Sequence, residues 1–230
     1  LTATEKAKGS LITFEGIDFC GKTTQVLLLQ EHLIAKGHQV VVVREPGGTE
    51  ISEKIREILL DKENLHMEPT AEMLLYQASR AQLTGEVVLP ALREGKTVLC
   101  DRYYDSTTAY QGYGRGLDLE LVEKVNQLAT SSFLPEADPP RAGRPDLTFI
   151  LDISPEEAFA RVVNSKLVRD RIEDQQISFY QKVREGYLRM AGSEPDRFRV
   201  IPASKTVEEI AGLIAEEVDK LIDKPANSKQ

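Results

Sequence analysis

The chain has 230 residues, 41% of them apolar and 29% charged, and a formal net charge of −8. That length suits one α/β domain with a sizeable core; no apolar run reaches membrane-spanning length, and no N-terminal stretch has signal-peptide anatomy. The acidic balance argues against a role on nucleic-acid backbones, and the two cysteines, Cys20 and Cys100, offer neither metal spacing nor a disulfide framework, which reads as free thiols in a reducing cytoplasm.

Residues 1–9 are polar and aperiodic and are expected to be a loose tail, as are residues 224–230; a single domain is expected over 10–223. The first predicted strand is Leu11–Glu15, followed by a helix over Lys22–Lys36. A Val-rich strand over Gln39–Arg44 precedes a helix over Ile51–Leu60 and one long helix over Ala71–Glu94. The strand Thr97–Cys100 and the helix Leu119–Thr130 come next. Pro135–Pro145 is Pro-rich and reads as a surface loop. The strand Leu147–Asp152 leads into a helix over Pro155–Asn164 and a basic stretch, Arg161–Arg171, which is either a solvated helix end or a flap over a phosphate site. A helix over Ile172–Met190, a strand over Phe198–Ile201 and a helix over Val207–Leu221 complete the chain. The stripe Ile172, Phe179, Val183 and Tyr187 reads as packing. Near-continuous apolar strands alternating with helices predict a parallel, doubly wound sheet, whose ligands bind beyond the carboxyl ends of the strands.

Gly16-Ile17-Asp18-Phe19-Cys20-Gly21-Lys22-Thr23 matches G-x-x-x-x-G-K-[ST], with a strand directly before it and a helix starting inside it. The glycines let backbone N–H groups face phosphate oxygens, and the helix N-terminus adds partial positive charge. Gly16 to Thr24 therefore form an ATP-binding loop, with Lys22 reaching the β- and γ-phosphates and Thr23 offering its hydroxyl to Mg²⁺. Asp18 is out of place in an anion-binding loop. Either it is an exposed loop aspartate, or its side chain turns towards a hydroxyl of a second substrate or a cation. Asp101 and Arg102 close the third strand. They are a surface ion pair or, beside such a loop, a carboxylate for Mg²⁺ and a planar fork for phosphate. The three histidines, His32, His38 and His66, read as surface or capping residues.

Six segments in order, FEGIDFCGKTTQ, REPGGT, LLYQASRAQ, DRYYDSTTAYQG, PDLTFILD and DRIEDQ…FYQKVREGYL, running from Phe14 to Leu188, resemble bacterial thymidylate kinase. The resemblance implies a P-loop nucleoside monophosphate kinase fold, an α/β domain with a five-stranded parallel sheet and helices on both faces. It also implies transfer of the γ-phosphate of ATP to dTMP, with Mg²⁺, in a cytoplasmic homodimer.

Tyr76 and Arg80 lie i, i+4 on one helix and so share a face. By sequence alone they could be an exposed pair; by resemblance Tyr76, where the family often has Phe, stacks on thymine and Arg80 hydrogen-bonds the base. Arg56, otherwise an ordinary charge on a solvated face, and Arg102 are implied at the acceptor phosphate. Glu45 is implied near the point of transfer, Asp18 at the 3′-hydroxyl, Thr107 and Gln111 at the thymine edge, and Tyr110 against the sugar 2′ position. The family places a basic residue over the γ-phosphate from the loop or the flap. Phe19 cannot supply it, so the flap, at about 161–173, is expected to do so through Lys166, Arg169 or Arg161, with Arg171 as an anchor.

Three rival readings are open to the residues. The first is another P-loop kinase, of the guanylate, adenylate or deoxynucleoside type; a deoxynucleoside kinase shares the D-R strand end but takes an uncharged acceptor and has less need of Arg56, Arg80 and Arg102 together. A GTPase-like switch calls for N-K-x-D, which the sequence lacks. A non-catalytic nucleotide-binding module would be expected to have lost Lys22, Asp101 or the basic flap.

Overall fold

A computed structural model describes residues 9–130, 143–161 and 170–222. Five strands, β1 (Leu11–Glu15), β2 (Val40–Arg44), β3 (Thr97–Asp101), β4 (Leu147–Asp152) and β5 (Phe198–Pro202), form one sheet in the order β2-β3-β1-β4-β5, and every pair is parallel. The strands are short and apolar because both faces are covered. Leu11 of β1 and Val98 and Cys100 of β3 pack into a cluster with Val43, Leu83 and Val88, whereas Ile12, Phe14 and Leu99 enter the larger cluster on the opposite face. That division follows the two-residue period of a strand. Within the sheet the hydroxyls of Thr13 and Thr148 meet at 2.8 Å, so neither buried oxygen lacks a partner.

The helices are α1 (Lys22–Ala35), α2 (Glu50–Leu60), α3 (Pro69–Leu83), α4 (Leu89–Arg93), α5 (Tyr104–Thr107), α6 (Leu119–Thr130), α7 (Pro155–Ala160), α8 (Ile177–Ser193) and α9 (Val207–Ile222). Two predicted elements are corrected. The single helix expected over Ala71–Glu94 is α3 and α4, separated by a π-helical turn at Thr84–Val88. Pro90 lacks the N–H that an unbroken α-helical ladder requires. The helix expected to begin at Ile172 begins at Ile177; residues 171–175 are turns, where the carboxylate of Asp170 accepts from the N–H groups of Ile172 and Glu173 at 2.8 Å each. Residues 104–114, for which the sequence predicts no element, are helical, as α5 followed by a π-helical segment Thr108–Gly114. At the amino end Gly9 is tied down, donating to the carbonyl of Leu92. Most of the Pro-rich segment and both tails lie outside the described residues.

The central strands set the site. β1 runs between β3 and β4, and its register pairs Phe14 with Asp101, while Arg44 at the end of β2 also pairs with Asp101. The carboxyl ends of β1, β2 and β3 therefore deliver residues 16–24, 45 and 101–102 to one edge.

Candidate active site

The loop after β1 depends on two backbone conformations that favour glycine. Gly16 has φ 132°, and a Cβ there would lie 2.6 Å from the carbonyl oxygen of Leu151. Gly21, at φ 100°, opens α1. Phe19 also takes a left-handed φ of 64°, and its ring packs edge-on against Phe159. The Lys22 ammonium is nearly buried and donates to the carbonyls of Ile17 (2.9 Å) and Gly16 (3.3 Å), so the cation lies within the curl of its own loop. The Thr23 hydroxyl donates to Asp101 at 2.5 Å. A hydroxyl on the first turn of α1 and a carboxylate at the end of β3 are hard oxygen ligands, a donor set that fits Mg²⁺ beside a phosphate loop. Among the described residues no cluster of three or more His, Cys, Asp or Glu side chains could hold a metal by itself.

Two cavities open here. The larger, about 450 Å³, is lined by the loop from Asp18 to Thr24 together with Asp101 and Arg161. The smaller, about 130 Å³, is lined by Tyr76, Thr107, Tyr110 and Gln111, with Ile172 opposite. Asp18, Glu45, Arg56, Arg102 and Glu173 line both.

Arg102 and Asp18 form the wall between them. The Arg102 guanidinium donates to Asp18 at 2.5 Å and to the Tyr110 hydroxyl at 3.1 Å, and its other amine reaches the Gly16 carbonyl at 2.9 Å. Tyr110 donates to the second Asp18 oxygen at 2.8 Å and carries Arg102 over its ring. Burial alone would raise the Asp18 carboxyl, but Arg102, Lys22 and the Tyr110 hydroxyl outweigh it and hold the group below its ordinary value. Asp18 is thus held by Arg102 and by the hydroxyls of Tyr110 and Tyr180, not exposed on the loop, and it lines both cavities. Arg56 is half-buried, donates to the Pro46 carbonyl at 2.8 Å and faces both cavities.

Arg80 is placed differently from the expectation of a direct contact to a base. It is 1% exposed and lines neither cavity. Its N–H groups go to Glu45, Gln77, Thr107 and the Tyr103 carbonyl. In this structure Arg80 stands behind the wall and holds Glu45 and Thr107, which do line the cavity. Gln111 is held from behind as well, donating to Glu72 at 2.9 Å. Glu72 also receives Arg115 and Arg171, and these partners lower its carboxyl despite burial. Arg171 additionally donates to the Leu59 carbonyl and so fastens the end of the basic stretch to α2 and α3. Arg161 turns onto backbone, donating to the carbonyls of Phe19, Cys20 and Ala203. Lys166 and Arg169 lie outside the described residues. Glu15, Ser106, Glu173 and the Tyr187 hydroxyl are not singled out as polar site residues by the sequence, because no local spacing marks them; Glu15, Ser106 and Tyr187 meet only through the fold, and Glu173 reaches the cavities from the turn before α8.

An α/β sheet carrying a phosphate loop at the end of its central strand, with a second cavity facing that loop across shared arginines and carboxylates, defines a P-loop nucleoside monophosphate kinase fold. A family model described as thymidylate kinase matches residues 14–214. A thymidylate kinase of Caldanaerobacter subterraneus subsp. tengcongensis is 48% identical over 215 residues, covering 94% of this chain and 97% of the relative. One from Pelotomaculum thermopropionicum is 50% identical over 198 residues, covering 86% and 87%. The crystal structure of thymidylate kinase from Ehrlichia chaffeensis superposes with a TM-score of 0.68 at 32% identity, covering 94% of this chain and 98% of that one. The chain belongs to the thymidylate kinase family.

Proposed function

We propose that this chain transfers the γ-phosphate of ATP to dTMP, giving dTDP for dTTP synthesis. The observation that carries the reading is the pair of cavities that share Asp18, Glu45, Arg56, Arg102 and Glu173, so that two phosphorylated ligands would meet end to end. ATP takes the larger. The N–H groups of Gly16 to Thr24 cradle its phosphates, and Lys22 exchanges its loop carbonyls for phosphate oxygens. Thr23 and Asp101 would hold Mg²⁺, which when bound neutralises charge on the β- and γ-phosphates. dTMP takes the smaller cavity, its base against Tyr76 and its edge at Thr107 and Gln111. Tyr110 closes the space at the sugar 2′ position, and Asp18 accepts the 3′-hydroxyl. Arg56 and Arg102 hold the acceptor phosphate. That phosphate is already an anionic nucleophile near neutral pH, so no general base is needed; positioning and charge stabilisation supply the catalysis. Arg161, Lys166 and Arg169, on a flap over about 161–173, supply the remaining positive charge. Arg80 serves the base site through Thr107 and Glu45.

ADP formation from ATP and Mg²⁺ with dTMP, dUMP, GMP, AMP, CMP or thymidine in turn tests this assignment. dTMP is expected to be the best acceptor, and preference for thymidine or GMP would sink it.

We further propose that the protein works as a homodimer in the cytoplasm. The free thiols of Cys20 and Cys100 suit a reducing compartment. Exposed Ile51 and Ile58 on α2, Leu74 on α3, and Leu121 and Leu128 on α6 lie on three helices packed in succession, an apolar surface that a second copy could cover. Light scattering should give twice the chain mass; a monomer at micromolar concentration would refute the dimer. Among the described residues no helix is long and apolar enough to cross a membrane.

A further inference from the structure

Behind the wall between the cavities lies a carboxylate that the proposed transfer does not use. Glu15, the last residue of β1, is fully buried and has three partners, all of them donors. The Tyr103 N–H reaches one oxygen at 2.7 Å; the hydroxyls of Ser106 (2.7 Å) and Tyr187 (2.8 Å) reach the other. The same two hydroxyl oxygens accept from the inner amine of Arg102, at 3.2 Å from Ser106 and 3.4 Å from Tyr187. A hydroxyl has one proton. The two oxygens also lie 2.9 Å apart, where either could donate to the other; when both protons point at Glu15, as its ionised form favours, both oxygens turn lone pairs towards Arg102. The backbone is constrained at the same place. Arg102 takes φ 69°, a left-handed conformation that costs a non-glycine residue energy and persists only where its surroundings over-determine it. The Glu15 bond to the next N–H, at Tyr103, is one such restraint, and the Arg102 N–H bond to the Phe14 carbonyl is another.

We propose that Glu15 is a positioning residue for phosphoryl transfer: its ionised carboxylate aims the Ser106 and Tyr187 hydroxyls at Arg102 and pins the backbone beside it, fixing the guanidinium on Asp18 between the two cavities. The role rests on the kinase reading above. A neutral group of the same shape cannot substitute. A glutamine has one amide oxygen for two sets of donors, so its NH₂ must face either the Tyr103 N–H or the two hydroxyls. In the second arrangement a hydroxyl proton is displaced towards the guanidinium. The surroundings oppose the carboxylate's charge. Burial, and then Asp105, push the Glu15 carboxyl up to about 7, with Arg102 and the two hydroxyls opposing them. Cys100 on β3, Tyr103 and Tyr187 complete the titratable groups around it.

Steady-state kinetics with dTMP and ATP at about pH 8, where the carboxylate is ionised, tests the role in wild type, Glu15→Gln, Arg102→Lys and the double variant. Glu15→Gln should raise the KM for dTMP by at least about tenfold, the size of a lost charge-assisted bond, and leave the KM for ATP within about twofold. Because Glu15 acts through Arg102, the double variant should bind dTMP no worse than Arg102→Lys alone. An unchanged KM for dTMP, an equal rise for ATP, or fully additive losses would each overturn the proposal. If Glu15→Gln does not fold, Tyr187→Phe, which removes one relay hydroxyl and keeps the carboxylate, should raise the KM for dTMP severalfold; no rise would overturn the role equally. Wild-type turnover is the separate control. Its absence sinks the kinase reading, whereas normal turnover with an indifferent Glu15→Gln sinks the role of Glu15 alone.

Discussion

The Arg80 guanidinium lies 2.7 Å from a carboxylate oxygen of Glu45, and both side chains are shut off from solvent. The other Glu45 oxygen has no hydrogen-bond partner in the protein. Burial raises the Glu45 carboxyl above its ordinary value, and Arg80 only partly opposes it. One buried cation thus holds a carboxylate residue that lines both cavities.

Removing that cation should be costly in two measurable ways. Arg80→Ala leaves Glu45 and Gln77 without their donor, and breaking a buried pair from one side costs about 3–5 kcal/mol. Denaturant titration should show a loss of that order. The KM for dTMP should rise far more than that for ATP, because Thr107 and Glu45 lose their support. Equal effects on both substrates would place Arg80 outside the acceptor site.

Glu15 predicts a pH-dependent difference in stability. Its folded value is raised to about 7 from 4.5, so between those values the folded chain binds more protons than the unfolded one. Stability contributed by this group therefore falls as pH rises from about 4.5 to about 7. Glu15→Gln removes that dependence. The stability of the variant relative to wild type, followed in melts, should therefore rise between about pH 4.5 and about pH 7 by on the order of 1–3 kcal/mol, on top of any constant offset from the altered hydrogen bonds. A variant destabilised equally at every pH would contradict the buried charge.

Chemistry should depend on Lys22 and on divalent metal. Lys22 is the one loop side chain placed to follow charge onto the transferring group, and loss of a well-aimed donor costs about a hundredfold or more. Lys22→Ala should lower kcat at least that far, and EDTA should stop the wild-type reaction. Turnover in EDTA would contradict the assignment of Thr23 and Asp101.

The flap charge should act on kcat. Lys166→Ala and Arg169→Ala should slow turnover with little change in either KM, as expected for charge that engages mainly in the transition state. Arg161 is committed to the carbonyls of Phe19, Cys20 and Ala203. Arg161→Ala should therefore also weaken ATP binding by loosening the loop. Phe19→Arg in the slowest variant should recover part of kcat. Near-normal kcat in all three alanine variants would refute a catalytic flap.

Much of the fold was legible because its signals are local. β1 and β4 were read residue for residue, and the remaining strands to within one residue at an end. A buried parallel strand is a short apolar run wherever it occurs. The phosphate loop was equally plain, since its glycines, lysine and threonine are contiguous and each answers a backbone requirement. Residues 104–114 were not legible as helix. Thr, Tyr and Gly are modest helix formers, and tertiary contact overrides that propensity. A Cβ at Gly112 would lie 2.7 Å from Leu119, and one at Gly114 would lie 2.6 Å from Phe179, so these glycines serve close packing against α6 and α8.

The sequence by itself determined the family and the places of its local motifs: a phosphate-loop pattern at residues 16–24, a strand end at Asp101 and Arg102, and Tyr76 with Arg80 on one helix. Only the tertiary structure decided which of these face a ligand and which stand behind them. Arg80 meets Glu45 across 35 residues of chain, and Tyr187 meets Glu15 across 172. Neither pairing leaves a spacing to read. They arise because parallel register brings the ends of β1, β2 and β3 to one edge and α8 packs over it, and because a buried charge must find its partners wherever the fold supplies them.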